Sequence, residues 1–414
     1  MTDTIGLGGR AAVARQRYLD QLTPWLDAPV VKVLRGVRRC GKSVLLRQLE
    51  DALLGRGVPR DRILLINFES LANAALCDHR ALYEHVIRWA ALGTGRVHLL
   101  LDEVQLVDQW ERAVNSLRID LDCDIVVTGS NAWLLSTELA TLLTGRYVEI
   151  DVYPFAFDEY CDLVRATEPA AKVADLFRRY LDIGGMPGAH ELNDQAAAMT
   201  YLRDVSSGIL LKDVVARKKL RDVDLLERLL AFVMDNLGRT FSARRVSDFL
   251  KSQRRSLGSE TVYNYLHALT EACLVHKAER LDVLGRRLME TQEKYYLADH
   301  GFVHSWLGHR PDETPGILEN ITYLELRRRG YEVRIGKADE REIDFVADRA
   351  GTRLYLQVCY LLADPSTVDR EFAPLQAIAD NHRKVVLSLD EGPRSDRFGM
   401  ERWYLPEFLL NHGW

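Results

Sequence analysis

The sequence predicts an α/β fold: a parallel sheet wrapped by helices in the first third, a helical bridge, a three-helix unit with a hairpin, and a last α/β unit. Three observations carry that prediction. Residues 30–165 alternate short apolar runs with helical patterns, residues 225–299 hold three helical stripes and then two strand-like runs, and residues 317–389 read as helix, three strands, helix and strand. The 414 residues are 47% hydrophobic and 28% charged. That is enough apolar matter for two or three cores and too much for a disordered, collagen-like or coiled-coil chain.

In the first unit the strand candidates are Val30–Leu34, Ile63–Asn67, Val97–Leu101, Asp124–Thr128 and Tyr147–Val152. Most are apolar nearly throughout, as strands buried on both faces of a parallel sheet must be. After Pro154 the pattern turns helical, at Leu176–Leu181 and Ala196–Val205, with Gly184-Gly185-Met186-Pro187 as a breaker between them. Leu225, Leu229, Phe232, Val233 and Leu237 form one helical stripe. Ser242 reads as the cap of a helix over Ala243–Leu250, and Ser259 as the cap of a third helix carrying Val262, Leu266 and Leu269. Two strands, Leu274–Ala278 and Lys294–Leu297, then flank Gly285-Arg286-Arg287, which completes the pattern of a winged helix-turn-helix. The last unit is Ile317–Arg329, Tyr331–Ile335, Glu342–Ala347, Leu354–Tyr360, Val368–Asp380 and Lys384–Leu389. The expected division is therefore 1–165, 166–216, 217–300 and 301–414, without internal repeats.

Charge and cysteine usage narrow the function classes. A net charge of −5 excludes a uniformly basic nucleic-acid binder, yet residues 217–300 carry 16 Lys and Arg against 12 Asp and Glu. Any polyanion is expected there, through Lys251, Arg254, Arg255, Arg286 and Arg287, although an ordinary surface would carry the same excess. Cys40, Cys77, Cys123, Cys161, Cys273 and Cys359 lie far apart with no C-x-x-C pair, the pattern of reduced thiols. Neither a leader nor a run of about 18 apolar residues is evident. The expectation is a cytoplasmic protein without a membrane partner.

The chemistry concentrates at Gly36-Val37-Arg38-Arg39-Cys40-Gly41-Lys42-Ser43, a G-x-x-x-x-G-K-[ST] loop between a strand ending at Leu34 and a helix that opens with Ser43-Val44. Such a loop wraps its N–H groups around phosphate, Lys42 reaches the β and γ phosphates, and Ser43 ligates Mg²⁺. The run Val97–Leu101 ends in Asp102-Glu103. Asp102 is the second metal carboxylate, and Glu103 is placed to polarise the attacking water. With no N-K-x-D motif in the chain, the expected nucleotide is ATP rather than GTP. The strand Asp124–Thr128 leads into Gly129-Ser130-Asn131, so Asn131 or Ser130 is a candidate γ-phosphate sensor if that strand lies between the other two. The same residues suit a helix cap. Arg146 is a candidate transition-state cation, in cis or for a neighbouring subunit, with Arg178 and Arg179 as alternatives for the trans role; an exposed arginine before a strand is the other reading.

Taken together, Gly36–Ser43, Leu99–Glu103, Thr128-Gly129-Ser130, Gly145-Arg146, Pro154–Tyr160 and Gly184–Pro187 resemble the prokaryotic AAA-superfamily ATPases that carry a C-terminal domain of unknown function. The resemblance spans nearly the whole chain. It implies an AAA-like ATPase core, a winged helix and a C-terminal fold like restriction endonucleases, with DNA, a protein partner or a second copy of the chain as candidate partners.

The endonuclease-like reading can be tested on residues. A nuclease of that kind needs an acid on the first helix, an Asp on the second strand and (E/Q)-x-K on the third, converging on Mg²⁺. The sequence offers Glu319, Asp344 and Gln357-Val358-Cys359, so a cysteine stands where the lysine belongs. Lys337 is the substitute at hand. Without a lysine, the expectation is a degenerate fold used for binding or assembly, with metal-dependent cleavage as the alternative.

Overall fold

The computed structural model describes residues 13–130, 143, 145–215, 218, 222–242, 246, 248, 258–285 and 287–413. Two compact units emerge, one from Met1–Pro154 with Glu271–Cys273 and the other from Phe155–Thr270 with Leu274–Trp414. The first boundary falls at Pro154, where the parallel sheet ends, rather than at 165.

In the first unit, helix α1 (Gln16–Leu22) precedes strand β1 (Val31–Arg35), helix α2 (Lys42–Gly55) and β2 (Ile63–Asn67). Helix α3 (His79–Ala90), β3 (Val97–Asp102), α4 (Trp110–Asp120), β4 (Cys123–Gly129) and β5 (Tyr147–Asp151) follow. The sheet order is β2-β3-β4-β1-β5, and every pairing is parallel. Consequently β4 lies between β1 and β3, the arrangement on which the reading of Ser130 depends. Val31, Val33, Leu99, Leu101, Ile125 and Val127 bury against Leu82 and Val86 of α3 and Trp110, Val114 and Leu117 of α4. Helix α3 is started by Asp78, whose carboxylate accepts the N–H groups of Arg80 and Ala81. All strand C-termini leave the sheet at one edge, and the phosphate-type loop, Asn67, Asp102 and Gly129 meet there.

The second unit opens with helices α5 (Phe157–Arg165), α6 (Val173–Ile183) and α7 (Gln195–Ile209). Phe157, Tyr160, Phe177 and Tyr180 form an aromatic cluster with ring centroids 5.1–6.5 Å apart. The Gly184–Pro187 breaker is a packing device. Gly184 has φ of 85°, and a Cβ there would lie 2.0 Å from Asp299 Oδ1; a Cβ on Gly185 would lie 2.2 Å from the Phe155 carbonyl oxygen. Buried Asp299 accepts the N–H groups of Gly185 at 2.7 Å and Gly301 at 2.8 Å.

Helices α8 (Val223–Asp235) and α9 (Ser259–Glu271) match the first and third expected stripes, while nearly all of the helix expected at Ala243–Leu250 lies outside the described residues, as do Lys251, Arg254, Arg255 and Arg286. Strands β6 (Val275–Asp282) and β7 (Arg287–Leu297) make the hairpin. Then come α10 (Gly301–Leu307), α11 (Thr314–Arg328), β8 (Glu332–Ala338), β9 (Arg341–Arg349), β10 (Thr352–Val358), α12 (Pro365–Gln376), β11 (Arg383–Ser388), β12 (Ser395–Arg397), β13 (Met400–Tyr404) and α13 (Leu405–Leu410). These strands form one mixed sheet in the order β12-β13-β11-β10-β9-β8-β6-β7. Strand β6 runs parallel to β8, so the sheet continues across residue 300, where the sequence suggested a boundary. Adjacent residues of a strand face opposite ways. Phe345 of β9 meets Tyr296 and Tyr323 of α11, whereas Val346 joins Phe372 and Leu375 of α12, which puts the two helices on opposite faces.

Candidate functional site

The loop from Gly36 to Ser43 is built by two backbone constraints. A Cβ on Gly36 would lie 2.0 Å from the Val152 carbonyl oxygen, and Gly41, the residue before α2, has φ of 103°, where other residues are strained. Arg39 also takes a positive φ, of 66°. Val37 and Cys40 anchor the loop in the core, the thiol donating to the Val152 carbonyl at 3.2 Å, and burial pushes that thiol's pKa up. Arg38 pairs with Glu69, and half-buried Val44 lies in the first turn of α2.

Arg15 braces the loop from outside the motif. Its side chain is 1% exposed, donates from Nη1 to the Cys40 carbonyl at 3.0 Å and from Nη2 to the Tyr153 carbonyl at 2.7 Å, and lies over the Tyr18 ring. A buried guanidinium spent on two backbone carbonyls fixes the curvature of the loop.

Lys42 is buried, and its ammonium donates to the carbonyls of Gly36 at 3.0 Å and Val37 at 3.2 Å, with Glu103 Oε1 3.8 Å away. Burial alone would lower its pKa, but the neighbouring acidic groups, among them the Glu103 and Asp102 carboxylates, outweigh burial and raise it, so Lys42 stays cationic. Asp102 ends β3. Burial raises its pKa, opposed by hydrogen bonds from Thr128 and Ser43. The Thr128 hydroxyl donates to Asp102 Oδ1 at 2.6 Å and accepts the Glu103 N–H at 2.9 Å, while Asn67 Nδ2 donates to Asp102 Oδ2 at 2.9 Å. Glu103 has φ of 55°. That left-handed backbone turns its carboxylate towards Lys42, and the Gln105 amide donates to its other oxygen. Gln105 Nε2 also lies 3.5 Å from Ser130 Oγ.

Lys42, Ser43, Asp102 and Glu103 therefore converge as the spacing predicts. Asn131 lies outside the described residues. Arg146 does not join the site within one chain: it precedes β5, its carbonyl accepts the N–H of Val31 at the start of β1, and the phosphate-type loop follows the opposite end of β1. In parallel strands these ends are separated by the length of the strand, which removes the cis role. Arg178 and Arg179 pair with Asp175 and Glu168 on the exposed face of α6. Asn67, Gln105 and Arg15 are the functional-edge residues that motif reading missed. Asn67 was findable as the last residue of a strand parallel to that of Asp102; Arg15 had no local signal.

A second cluster occupies the mixed sheet. Lys294 of β7, 1% exposed, places Nζ 2.7 Å from Glu342, 3.0 Å from Glu319 and 3.7 Å from Asp344. Asp344 Oδ2 accepts the Val358 N–H at 2.8 Å, and the Gln357 side-chain oxygen accepts the Asp344 N–H at 3.4 Å. Burial raises the pKa of Glu319 against the opposing pull of Lys294; burial, reinforced by Glu319, raises that of Asp344 well above the carboxylate range. The third strand carries no lysine, as the sequence reads, and the ammonium beside these carboxylates is Lys294. Cys359 belongs to the apolar cluster of Phe372 and Val386, Lys337 pairs with Glu340, and the ammonium comes from the hairpin.

Among the described residues no helix is long and apolar enough to cross a membrane. Residues 29–161 match the family model of an AAA domain, and residues 174–313 match a Domain of unknown function (DUF8612). Solved structures that are similar include the ADP form of the Aeropyrum pernix ORC2 protein, at 13% identity and a TM-score of 0.34 over 75% of this chain and 92% of that one. AMPPCP-bound DnaA from Aquifex aeolicus is similar at 11% identity and a TM-score of 0.30, over 64% of this chain and 89% of that one. An uncharacterized protein of Methanocaldococcus jannaschii is 28% identical over 380 residues, 87% of this chain and 83% of its own. An uncharacterized protein of Haemophilus influenzae is 35% identical over 401 residues, 97% of this chain and 99% of its own. The protein thus belongs to one family with this Haemophilus influenzae protein and carries an AAA domain over residues 29–161.

Proposed function

We propose that the protein hydrolyses ATP to ADP and phosphate with Mg²⁺ and couples its nucleotide state to a DNA or protein partner. The single observation that carries this reading is the convergence of Lys42, Ser43, Asp102 and Glu103 at one edge of the parallel sheet, with Thr128 linking Asp102 to Glu103. Ser43 hydrogen-bonds Asp102, so the two groups that would hold Mg²⁺ already face each other. Mg²⁺, when bound, neutralises charge on the β and γ phosphates. The loop N–H groups grip phosphate, and Lys42 exchanges its carbonyl partners for phosphate oxygens. Glu103, released from Lys42 by that exchange, orients water towards the γ-phosphorus and takes up its proton. Lys42→Ala should abolish binding of a fluorescent ATP analogue. Glu103→Gln should keep binding and stop phosphate release; unchanged turnover in both variants rejects the reading. Coupling to DNA is tested by anisotropy titrations with ATP, ADP and no nucleotide, and three superimposable curves remove it. Should a neighbour's arginine complete the site, Arg146 on a second copy is the candidate, read out by ATP-dependent light scattering.

A second reading is favoured by Lys294. With an ammonium among Glu319, Asp344 and Glu342, and the order helix, three antiparallel strands, helix, parallel strand around them, the C-terminal unit suits metal-dependent phosphodiester cleavage. Glu319, Asp344 and Gln357 would hold the divalent ion, whose chemistry is stabilisation of phosphate charge. Calorimetry should find Mn²⁺ binding that Asp344→Ala removes, with plasmid nicking lost in the same variant and in Lys294→Met. Absence of Mn²⁺ binding and nicking leaves the cluster as an internal staple.

A further inference from the structure

Gln105 stands two residues beyond Glu103, in the turn Val104–Leu106, and its carboxamide is held in one orientation. Nε2 donates to Glu103 Oε2 and lies 3.5 Å from Ser130 Oγ. Turning the amide over would set its oxygen against the Glu103 carboxylate, so charge alone fixes which end faces Glu103. The other end, Oε1, is a buried acceptor that has no donor among the described residues. Buried acceptors are satisfied in nearly all folded proteins, by protein or by water. An orphaned amide oxygen beside the Glu103 carboxylate is therefore a place for a hydrogen-bond donor that the described residues do not supply.

We propose that Gln105 is a positioning residue for the hydrolytic water, a reading that rests on the ATP hydrolysis proposed above. One proton of the water points to Glu103 and the other to Gln105 Oε1, which leaves an oxygen lone pair free for the γ-phosphorus. As the water oxygen bonds to phosphorus, the bond to the β–γ bridging oxygen breaks, ADP leaves with that electron pair, and Glu103 receives the proton. Gln105 takes no proton. Its Nε2 steadies the carboxylate through Oε2, and Ser130, just after β4, links the same amide to the strand beside the loop. Glutamate and glutamine thus act as two acceptors on one water, each setting the angle of the other.

The test is Gln105→Met, which keeps volume and removes both hydrogen-bonding ends. The expected result is a kcat lower by roughly 10- to 100-fold, with KM and the Kd of a non-hydrolysable ATP analogue within about twofold of wild type. Affinity for ADP with aluminium fluoride, which includes an in-line oxygen in the water's place, should fall with kcat. Wild-type kcat in Gln105→Met overturns the assignment, and so does a loss of analogue binding in proportion to kcat, which would make Gln105 part of the loop's scaffold. If Glu103→Gln is inactive while Gln105→Met is fully active, only this assignment fails; a wild-type protein that binds ATP without turnover overturns hydrolysis and this assignment together.

Discussion

Thr128→Val isolates the link between Asp102 and Glu103, the carboxylates proposed to hold the metal and to orient water. Valine matches threonine in shape, so the core of the parallel sheet is undisturbed, but two hydrogen bonds of a fully buried hydroxyl disappear. The Glu103 N–H is left without its acceptor, at about 1–3 kcal/mol, and Asp102 loses a charge-assisted donor worth about 1.5–3 kcal/mol. Greater apolarity of valine returns about 1 kcal/mol. The net loss is about 1.5–5 kcal/mol, which for a unit of this size lowers the melting temperature by roughly 3–20 °C. Glu103 suffers further because its left-handed backbone costs about 1–2 kcal/mol and is held by that same hydroxyl. Once it relaxes, its carboxylate leaves the water's position, and kcat should drop roughly 10-fold or more. Differential scanning fluorimetry, following the transition that ATP shifts, gives the first quantity, and phosphate release gives the second. Thr128→Ser, which restores the hydroxyl, should recover most of both. A valine variant that melts within about 1 °C of wild type and turns over normally would refute the argument.

Arg15→Met should weaken binding of a fluorescent ATP analogue roughly tenfold or more although Arg15 lies outside the nucleotide motif, because the Cys40 and Tyr153 carbonyls lose the guanidinium that shapes the loop; titration to unchanged affinity would show that the loop holds its curvature alone. The cluster around Asp299 predicts a pH slope. Burial raises Asp299 to about 7 and lowers His190 to about 4 and His300 to about 3. From about pH 4.5 to 6 the unfolded chain holds two histidine protons that the folded one lacks, and the folded chain holds one aspartate proton that the unfolded one lacks. Stability from these groups therefore rises with pH by about one proton's worth, or about 1.4 kcal/mol per unit, and Asp299's share, full below about pH 4, is lost as pH climbs through 7. Asp299→Asn removes the opposing proton, so urea melts across this range should show a slope roughly twice as steep; an unchanged slope would mean that Asp299 is ionised in the fold.

The loop at residues 36–43 was legible in form because its signals are local. Glycines at 36 and 41 and Lys42-Ser43 specify a turn, a helix start and a charge within eight residues, and the strands around them declare themselves by unbroken apolar runs. Strand order was legible only conditionally. That β4 lies between β1 and β3 follows from pairing such as Lys32 with Val126 and Leu99 with Ile125, and no residue in those runs announces its neighbour. Arg146 shows the same limit from the other side. Its position before a strand was read correctly, but in a parallel sheet the start of one strand and the end of another lie at opposite edges, so nearness in a motif inventory did not become nearness in space. The Gly184–Pro187 segment was visible as a breaker, while the reason for its two glycines, Asp299 and the Phe155 carbonyl, lies far away in sequence.

Lys294 carries this argument furthest. It stands 25 residues before Glu319 and on the far side of a helix from Asp344, and it reaches both because β6 runs parallel to β8 and carries its hairpin partner β7 with it. The consequence is energetic as well as chemical. Glu319, Asp344 and Glu342 share one buried ammonium, and burial already drives the first two towards protonation. Removing the partner of a buried ion pair costs about 3–5 kcal/mol, because the remaining charge has lost its solvent and gained nothing in exchange. A C-terminal unit cut away at residue 300 would bear that cost on several carboxylates at once, while also exposing the edge of β8 that β6 covers. Hairpin and C-terminal strands must therefore fold as one sheet. Any metal that enters the cluster meets an ammonium positioned by the hairpin, so movement of that hairpin would change the charge at the carboxylates without altering a single residue of the motif.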